Sequence, residues 1–560
     1  MRSVGPAERF DAFRARAAFR GRPGERLLGE LSDARAETSA APGAWAPGVA
    51  TGLGLPAAAG LGAAAFYADL AAPHGRRHVR VCNGAACFSA SAGRHLAQVE
   101  DELGISAGTT DPGAALSLQS VRCLGYCYAG PAGLDGDRPC TGPGLVEQLT
   151  GRAPRSVPAI PAADATGDPV LLGGVLAGER AWQVWPETVA TRTGERVRAE
   201  VAVSGLRGRG GAGFPVAEKW AGAGGSPDTV VVANGDEGDP GSFADRLLME
   251  ADPGRVLEGL ALACLACGAG RGVVLVRSEY PLALATMRAA LEDAYACGHL
   301  GRDVHGSGVR LDLEVVEGAG SYVAGEETAL IASLEGGRGC ARPRPPYPTR
   351  AGLWGAPTVV NNVETLAALP WIVRRGGAAY ARRGTERETG TKLVCLSERF
   401  ARPGCHEVEL GVSVAWIVGE LGGGLREGAE LSVLQVGGPL GGFLAADQLE
   451  VPLTEAALSG RGAALGHAGL VAFDQRVEPL QVLRHLWDFA AAESCGACSP
   501  CRVGSRRGLR LAAGGSPGEE YARLLRVLEQ ASLCAFGRRV PPAVRSLARA
   551  YGDRLAEWAR

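Results

Sequence analysis

The stretch TVVVANGDEGDPG, residues 229–241, joins a run of valines to a loop that carries three carboxylates. Runs of β-branched residues that alternate with helical stretches, as they do in this part of the chain, are typical of an α/β sheet. Polar loops that follow such strands lie at the carboxyl edge of the sheet, where α/β folds bind ligands. The stretch therefore predicts an α/β fold with a ligand site that begins at Asn234.

Three further loops in the same part of the chain have the composition of nucleotide-binding loops. Residues 208–213 form a GxGxxG motif, which is weak evidence alone because glycine supplies 83 of the 560 residues. Residues 318–328 follow LEVVE, and residues 361–365 follow PTVV. Glycine loops bring backbone N–H groups close to phosphate, and acids and Asn amides can bind ribityl and ribose hydroxyls. We expect all four loops to lie at strand ends and to form one nucleotide site.

Cysteines near the C-terminus predict a metal cluster. Cys495, Cys498 and Cys501 are spaced by three residues and are followed by Cys534. Three thiolates at this spacing can face one inorganic cube, and a fourth from a later segment closes the cage, which is typical of an iron–sulfur cluster. A structural zinc site is the alternative, although zinc sites usually pair two separated CxxC units. CxxCxxC is also a poor scaffold for disulfides.

A second cysteine group lies near the front of the chain, as Cys82-x4-Cys87 and Cys123-x3-Cys127. Two close pairs separated by about one βαβ unit suit a [2Fe–2S] centre, with one iron held by each pair. The alternatives are two unrelated pairs or a redox dithiol, although neither spacing is CxxC. The remaining cysteines show no such grouping: Cys140, Cys264, Cys267, Cys297, Cys340, Cys395 and Cys405. Cys264 and Cys267 lie in an apolar run with helical character, which favours helix packing over metal binding.

Composition limits the class of protein and its partners. The net charge is −2 and the pI is near 6.5, so no nucleic-acid or membrane-surface partner is implied. No apolar span of membrane length and no secretory signal is apparent, and 15 cysteines indicate a reducing compartment. We expect a soluble cytoplasmic redox protein without membrane insertion. Lysine occurs only at 219 and 392, and a retained lysine suggests a need for a compact point charge.

The pattern along the chain predicts several domains. We expect an N-terminal helical segment at 1–75, a small α/β unit with the front cysteines at 76–155, an α/β domain at 170–385, a β-grasp (ubiquitin-like) module at 390–475 and a helical domain at 480–560. Residues 151–169 are rich in proline and are the predicted linker.

Several motifs occur together and in order: SGLRGRGGAGFP, ANGDEGDPGSFADR, GAGSYVAGEETALIASLEG, RPRPPYP, PTVVNNVET and ESCGACSPCR. Over about residues 170–540 the chain resembles the NADH-oxidising flavoprotein subunit of respiratory complex I and its relatives in NAD-linked hydrogenases and formate dehydrogenases. The front block, with its CxxxxC and CLGYC motifs, resembles the thioredoxin-like [2Fe–2S] subunit that accompanies this flavoprotein. The resemblance implies an α/β multidomain chain: a helical bundle with a thioredoxin-like domain, a Rossmann-like FMN and NADH domain, a β-grasp domain and a C-terminal helical bundle with a [4Fe–4S] cluster.

The resemblance also implies residue roles. Gly208, Gly210, Gly213 and Lys219 would hold the FMN phosphate. The residues that would surround the flavin are Asn234, Asp236, Tyr322, Asn361, Asn362 and Thr365. Glu326 and Glu327, the residues assigned to the reaction itself, would line the floor on which nicotinamide stacks, and Phe214 and Tyr347 would enclose the adenine. Asp239 and Arg344, also assigned to the cofactor site, stand where the family often has Glu and Lys. An aromatic residue expected just after Trp220 is missing.

The implied function is an NADH:acceptor oxidoreductase, or diaphorase, with FMN, NAD(H), a [2Fe–2S] and a [4Fe–4S] cluster. The fusion of the front block favours a soluble enzyme over complex I, and the overall layout ranks a formate dehydrogenase beta subunit before a hydrogenase diaphorase. A metal-bearing catalytic partner is implied, either a molybdenum or tungsten formate dehydrogenase or a Ni–Fe hydrogenase. An electron-transfer or assembly protein that binds flavin and clusters without nicotinamide is the alternative from another class.

Overall fold

The computed structural model describes residues 23–72, 74–155 and 163–559 of the chain. Two predictions fall partly outside these ranges. Residues 1–22 of the predicted N-terminal helical segment lie outside the described residues, and so do residues 156–162 of the predicted linker.

The described N-terminal residues form the predicted helices, which dock on the central α/β domain. They are α1 (Pro23–Ala36), α2 (Pro42–Gly52), α3 (Ala57–Ala64) and α4 (Ala68–Ala71). A Cβ on Gly60 would lie 2.2 Å from the carbonyl oxygen of Ala46, so α2 and α3 cross in close contact. The Tyr67 hydroxyl donates to the carbonyl of Gly337 at 2.8 Å, which ties this bundle to the central domain.

A small α/β unit holds the front cysteines. Its elements are β1 (Arg77–Cys82), α5 (Ala85–Ser91), α6 (His95–Leu103), β2 (Thr109–Thr110), β3 (Leu116–Val121), β4 (Ala132–Asp135), β5 (Arg138–Thr141) and α7 (Leu145–Leu149). The sheet order is β2-β3-β1-β4-β5, with β1 parallel to β3 and antiparallel to β4. Cys82 ends β1, Cys87 lies in α5, and Cys123 and Cys127 follow β3. The same end of the sheet therefore brings both pairs together.

The end of the predicted linker is structured, and the prediction is wrong there. Ala163–Ala165 forms strand β6, which pairs with the segment Cys405–Glu407. Backbone N–H groups of residues 170–172 donate to the buried Glu407 carboxylate at 2.9–3.1 Å. Proline content indicates a break in regular structure, but it does not reveal a carboxylate more than 200 residues away that binds the following backbone.

The central domain is built on a parallel sheet in the order β10-β7-β8-β9. Its strands are β7 (Val230–Gly235), β8 (Arg271–Val276), β9 (Asp312–Glu317) and β10 (Thr358–Asn362). Its helices are α8 (Gly173–Ala177), α9 (Trp185–Ala190), α10 (Gly194–Ser204), α11 (Val216–Gly222), α12 (Ala244–Ala251), α13 (Pro253–Cys267), α14 (Pro281–Ala296), α15 (Glu327–Leu334), α16 (Val363–Ala367), α17 (Leu369–Arg375) and α18 (Gly377–Ala381). The valines of β7 are buried, as their sequence pattern predicts.

Three of the nucleotide loops lie at the carboxyl ends of β7, β9 and β10, as predicted. The prediction is wrong for the fourth: residues 208–213 connect α10 to α11 and do not follow a strand. Gly211 and Gly213 have φ angles of +106° and +60°, which favour glycine. The glycines therefore serve a turn between two helices, and only tertiary contacts bring this turn to the sheet.

The next part of the chain forms the β-grasp sheet, in the order β14-β13-β15-β11-β12-β6. Its elements are β11 (Thr391–Leu396), β12 (Gly404–Glu409), α19 (Val414–Trp416), β13 (Leu431–Val436), β14 (Phe443–Ala445), α20 (Glu455–Gly460) and β15 (Gly469–Asp474). The central strands β11 and β15 are parallel. Lys392 on β11 is buried and forms an ion pair with Glu364 of α16. Glu364 also accepts from the backbone N–H of Leu393 at 3.0 Å, so one carboxylate joins the two domains.

Helices complete the C-terminal end: α21 (Pro479–Glu493), α22 (Ser499–Gly514), α23 (Tyr521–Ala531) and α24 (Ala535–Ala550). A Cβ on Gly508 would lie 2.3 Å from the Trp487 ring, so only glycine fits at this contact between α21 and α22. Cys498 directly precedes α22, and Cys534 directly precedes α24. Among the described residues, no helix combines the length and the apolarity required to cross a bilayer.

Lys392→Ala leaves the Glu364 carboxylate buried without its cation. Removal of one partner of a buried pair typically costs about 3–5 kcal/mol, so we expect the first unfolding transition in scanning calorimetry to move to a lower temperature. Arg26→Ala, which breaks the exposed pair with Glu30, is the control and should leave the transition in place. An unchanged transition in Lys392→Ala would contradict the proposed joint between the two domains.

Candidate functional site

The loops that follow β7 and β9 are hydrogen-bonded to each other. The Asn234 side-chain amide donates to the carbonyl of Gly325 at 2.8 Å, and the Tyr322 hydroxyl donates to Asp239 at 2.6 Å. A Cβ on Gly238 would lie 2.8 Å from the Tyr322 ring, so glycine is required for this approach. The structure thus brings together residues that lie 83 and 91 positions apart in sequence.

The glycine loop and the β10 loop meet the same site from the other side. The backbone N–H of Arg209 donates to the Thr365 hydroxyl at 2.8 Å, and a Cβ on Gly210 would lie 2.8 Å from the Cβ of Asn362. Asn362 itself donates to Asp245 and accepts from the Thr365 N–H. Asn362 and Thr365 therefore position the glycine loop. A Cβ on Gly213 would meet no atom within 4 Å, so this part of the loop faces open space.

Two acidic and two basic side chains form one network of ion pairs beside these loops, called here the ion group. Arg344 pairs with Glu326 and, at 2.7 Å, with Glu327, and Lys219 pairs with Glu327 at 3.2 Å. Glu326 also caps α15, because its carboxylate accepts from the N–H groups of Thr328 and Ala329. The negative charges of Glu326 and Glu327 are therefore largely compensated by Arg344 and Lys219, which the sequence alone does not reveal.

Asp236 is a buried acid of the pocket with a raised pKa. Burial raises its pKa to about 7, although the guanidinium of Arg277, 3.8 Å away, lowers it. Other acids nearby, among them Glu279 and Asp239, raise the pKa further. A carboxyl group in this state can donate as well as accept a hydrogen bond near neutral pH, which suits the polar edge of a planar ligand.

Aromatic side chains lie at the mouth of the pocket and in its wall. Phe214 and Tyr347 are 48% and 57% exposed. Trp220 is buried instead, and its indole N–H donates to the Asn361 side-chain oxygen at 2.9 Å. Ala221 occupies the place of the missing aromatic residue. Two exposed rings thus remain for stacking on a flat ligand.

The front cysteines form one buried group. The sulfurs of Cys123 and Cys127 lie 3.6 Å apart, and Cys82 is in hydrogen-bond contact with Cys123 and Cys87. The hydrogen bond that Cys127 shares with Cys123, together with burial, raises the pKa of the Cys127 thiol well above its usual range. Four buried thiols can become thiolates together only if a metal supplies compensating positive charge. The donor set therefore fits the predicted [2Fe–2S] cluster.

This cysteine group contacts the nucleotide loop directly. The backbone N–H of Gly241, two residues after Asp239, donates to the Cys127 sulfur at 3.2 Å. The N–H of Gly125 donates to Cys123 at 3.4 Å, and that of Gly84 reaches Cys82 at 3.5 Å. N–H donors of this kind are typical of iron–sulfur sites.

The C-terminal cysteines also converge, although they are less deeply buried. Cys501 interacts electrostatically with Cys498 and Cys534, and Cys534 interacts with Cys495. Cys498 and Cys534 stand at the N-termini of α22 and α24, where the helix dipole favours thiolates. Four thiolate ligands from two segments fit a [4Fe–4S] cube.

Sequence reasoning missed one cysteine of this group. The Cys340 thiol donates to the carbonyl oxygen of Cys495 at 3.3 Å, and 155 residues separate the two, so no local spacing reveals the contact. The other ungrouped cysteines behave as predicted where they can be compared: Cys264 and Cys267 are buried on α13. Cys395 and Cys405 face each other across β11 and β12 with their sulfurs 4.0 Å apart, and no disulfide joins any cysteine within the described residues.

Comparison with known families assigns each region. Residues 201–371 match the family described as the Nuo51 FMN-binding domain. Residues 16–140 match the thioredoxin-like [2Fe–2S] ferredoxin family, and residues 481–557 match the NADH-ubiquinone oxidoreductase-F iron–sulfur binding region.

Individual proteins give the same result. The chain is 40% identical over 367 residues to the NADP-reducing hydrogenase subunit HndC of Solidesulfovibrio fructosivorans, covering 64% of this chain and 75% of that one. It is 42% identical over 307 residues to an F-type subunit of the NADH-quinone oxidoreductase of Rhizobium meliloti, covering 54% of this chain and 73% of that one. A solved chain of an NAD⁺-reducing [NiFe]-hydrogenase superposes with a TM-score of 0.85 at 32% identity, covering 96% of this chain and 93% of that one.

Fold and site together define a flavin and iron–sulfur oxidoreductase component. The chain belongs to the family of NADH-oxidising FMN and [4Fe–4S] flavoprotein subunits, represented by the F-type subunits of NADH-quinone oxidoreductases, with a thioredoxin-like [2Fe–2S] domain fused at its front. The predicted fold class is confirmed. The four predicted cofactors, FMN, NAD(H), a [2Fe–2S] and a [4Fe–4S] cluster, are confirmed as well.

Serine variants test the division of the cysteines into two clusters. We expect Cys498→Ser to remove the [4Fe–4S] signal in electron paramagnetic resonance and to retain the [2Fe–2S] signal, and Cys123→Ser to do the reverse, because each set of thiols holds its own cluster. Cys264→Ser, buried but outside both groups, should keep both signals. Loss of both signals from either ligand variant in a folded chain would show that the eight ligands are divided wrongly.

Proposed function

We propose that the pocket between the four loops binds FMN and NAD(H) through the residues that the sequence singles out, and that this chain is the diaphorase subunit of a larger NAD-linked enzyme. One observation carries the proposal: the loop at residues 234–241 contributes Asp236 and Asp239 to the pocket and binds Cys127 through Gly241. A nucleotide site and a cluster site therefore share one loop.

When bound, FMN would supply the hydride-accepting centre and the means to pass electrons on one at a time. The protein's contribution is positioning and electrostatics. Lys219 would place its charge at the phosphate, and the Asn361 amide group, oriented by Trp220, would donate to the ligand. Phe214 and Tyr347 would stack on the adenine.

The ion group also sets a condition for nucleotide binding. Arg344 holds Glu326 and Glu327 together, so a nicotinamide that contacts these acids must share them with the guanidinium. Lys219 would likewise interact with both Glu327 and the phosphate of the bound ligand. We infer that ligand binding redistributes these ion pairs without adding an unpaired charge. No general acid or base is required in this arrangement.

We propose two candidates for the catalytic partner of this chain. From the layout of the chain we propose the beta subunit of an NAD-dependent formate dehydrogenase, whose partner would carry molybdenum or tungsten. A second candidate, the diaphorase subunit of an NAD-linked Ni–Fe hydrogenase, is supported by a specific observation: the solved hydrogenase chain is matched over 96% of this chain, including the fused front domain. The free thiols of the described residues suit a reducing compartment, and we propose that the chain works in the cytoplasm.

The surface near the C-terminal cysteines suits an acidic partner. The helices α22 and α24 begin at cluster ligands, and the outer faces of α22 and α23 carry exposed arginines that form no ion pair within the described residues. This basic face consists of Arg502, Arg506, Arg510, Arg523 and Arg526. Val503 and Val527 are 60% and 43% exposed beside it. Exposed apolar side chains with a charged rim are typical of protein interfaces, so we propose that the partner docks here.

Lys219→Ala should weaken retention of FMN, because it removes the one lysine charge placed for the phosphate. A charged hydrogen bond contributes about 1.5–3 kcal/mol, which corresponds to a roughly 10-fold to 150-fold higher dissociation constant for FMN in fluorescence titration. Glu218→Ala, on the exposed side of the same helix, is the matched control. Unchanged FMN affinity in Lys219→Ala, or FAD in place of FMN in the purified chain, would contradict the site assignment.

The isolated chain should reduce ferricyanide with NADH but should not reduce NAD⁺ with formate or hydrogen. Its residues supply a nucleotide pocket and two cluster sites, and we expect activity with formate or hydrogen only when a metal-bearing partner is added. The identity of the active partner decides between the two candidates. Arg506→Glu with Arg523→Glu should lower the affinity for that partner and leave ferricyanide reduction unchanged. Formate- or hydrogen-dependent NAD⁺ reduction by the chain alone would contradict the proposal.

A further inference from the structure

A fifth thiol lies beside the C-terminal cysteine group. Cys340 belongs to the loop that follows α15, and its S–H donates to the Cys495 carbonyl oxygen at 3.3 Å. The Cys340 and Cys495 thiols also interact electrostatically. Neither the spacing of the cluster motif nor the matched iron–sulfur region at 481–557 includes this residue.

The loop that carries Cys340 is held firmly on both sides. The backbone N–H of Arg342 donates to the Thr328 hydroxyl at 2.8 Å, and Arg344 pairs with Glu326 and Glu327. A Cβ on Gly339 would lie 3.1 Å from the Cβ of Ala324, so the chain before Cys340 also packs closely. The thiol therefore occupies a fixed position between the nucleotide pocket and Cys495.

A [4Fe–4S] cube is held by four thiolates, one for each iron. Cys495, Cys498, Cys501 and Cys534 fill that set, so a fifth thiol beside them keeps its proton and remains a donor. We propose that Cys340 is a positioning residue whose thiol donates a hydrogen bond to the backbone carbonyl of the ligand residue Cys495 and thereby raises the reduction potential of the [4Fe–4S] cluster.

The direction of the effect follows from charge. Reduction adds an electron to the cluster and its sulfur ligands. A hydrogen bond donated to the Cys495 carbonyl offsets part of the negative charge of that oxygen beside the cluster, so it stabilises the reduced state more than the oxidised state. Hydrogen bonds to the sulfurs and outer-shell partners are known determinants of cluster potentials. Cys340→Ala should therefore make the cluster harder to reduce, whereas Cys340→Ser, which keeps a hydroxyl donor, should retain much of the effect.

The test is a redox titration of the full chain with both clusters loaded, monitored by electron paramagnetic resonance. We expect Cys340→Ala to lower the ratio of reduced to oxidised [4Fe–4S] cluster about threefold at a fixed potential, which corresponds to a midpoint potential lower by about 28 mV at 59 mV per tenfold change. The [2Fe–2S] potential in the same sample serves as an internal reference. Cys297→Ala, which removes an exposed thiol at the end of α14, is the matched control and should move neither potential.

Two results would overturn the inference. An unchanged [4Fe–4S] potential in Cys340→Ala would reduce Cys340 to a packing residue. Loss of the [4Fe–4S] signal, with the [2Fe–2S] signal and flavin retained, would make Cys340 a ligand. If the alanine variant does not fold, electron–nuclear double resonance of the unaltered chain in D2O tests the inference instead. An exchangeable deuteron at the reduced cluster that disappears in Cys340→Val supports a thiol donor at this position. Absence of this deuteron from the unaltered chain contradicts the inference. The inference uses only the [4Fe–4S] cluster, so it stands whether the partner oxidises formate or hydrogen.

Discussion

The buried guanidinium of Arg277 is the interaction on which the arrangement of the sites depends. It is 5% exposed and donates to the carbonyls of Glu237 and, at 3.1 Å, Cys123, while it pairs with Glu279 at 2.7 Å. An unpaired buried charge costs several kcal/mol, so these partners must stay in place together. Glu237 belongs to the nucleotide loop and Cys123 to the front cysteine loop, and the cation therefore fixes one loop against the other.

The pocket is connected in the same way to the C-terminal cluster. The Tyr322 N–H donates to Glu493 at 3.1 Å, and Glu493 is the last residue of α21, two positions before Cys495. On the opposite side Gly241 donates to Cys127 at 3.2 Å. The nucleotide pocket thus lies between two thiol groups, and short polar contacts lead from it to each. The two cluster sites are therefore held in place relative to the pocket by direct hydrogen bonds.

Much of this arrangement could be predicted from sequence, because strands and cluster ligands leave local patterns. The valines before Asn234 predict a buried strand, and CxxCxxC predicts a cluster. Single long-range contacts leave no such pattern. Glu407 binds the backbone at residues 170–172, Cys340 reaches Cys495, and Arg344 pairs with the two glutamates. The GxGxxG motif predicts a loop after a strand, but this loop lies between two helices. The motif specifies a tight turn and does not specify the element before it.

The central claim is that nicotinamide and flavin meet in this pocket, and anaerobic mixing with NADH in a stopped-flow spectrometer tests it most directly. The flavin absorbance of the loaded chain should fall at a rate no slower than steady-state ferricyanide reduction. Iron–sulfur signals should then appear in samples frozen after mixing. A flavin that stays oxidised with NADH, yet is bleached by dithionite, would contradict the claim and would place the chain among flavin and cluster proteins that bind no nicotinamide.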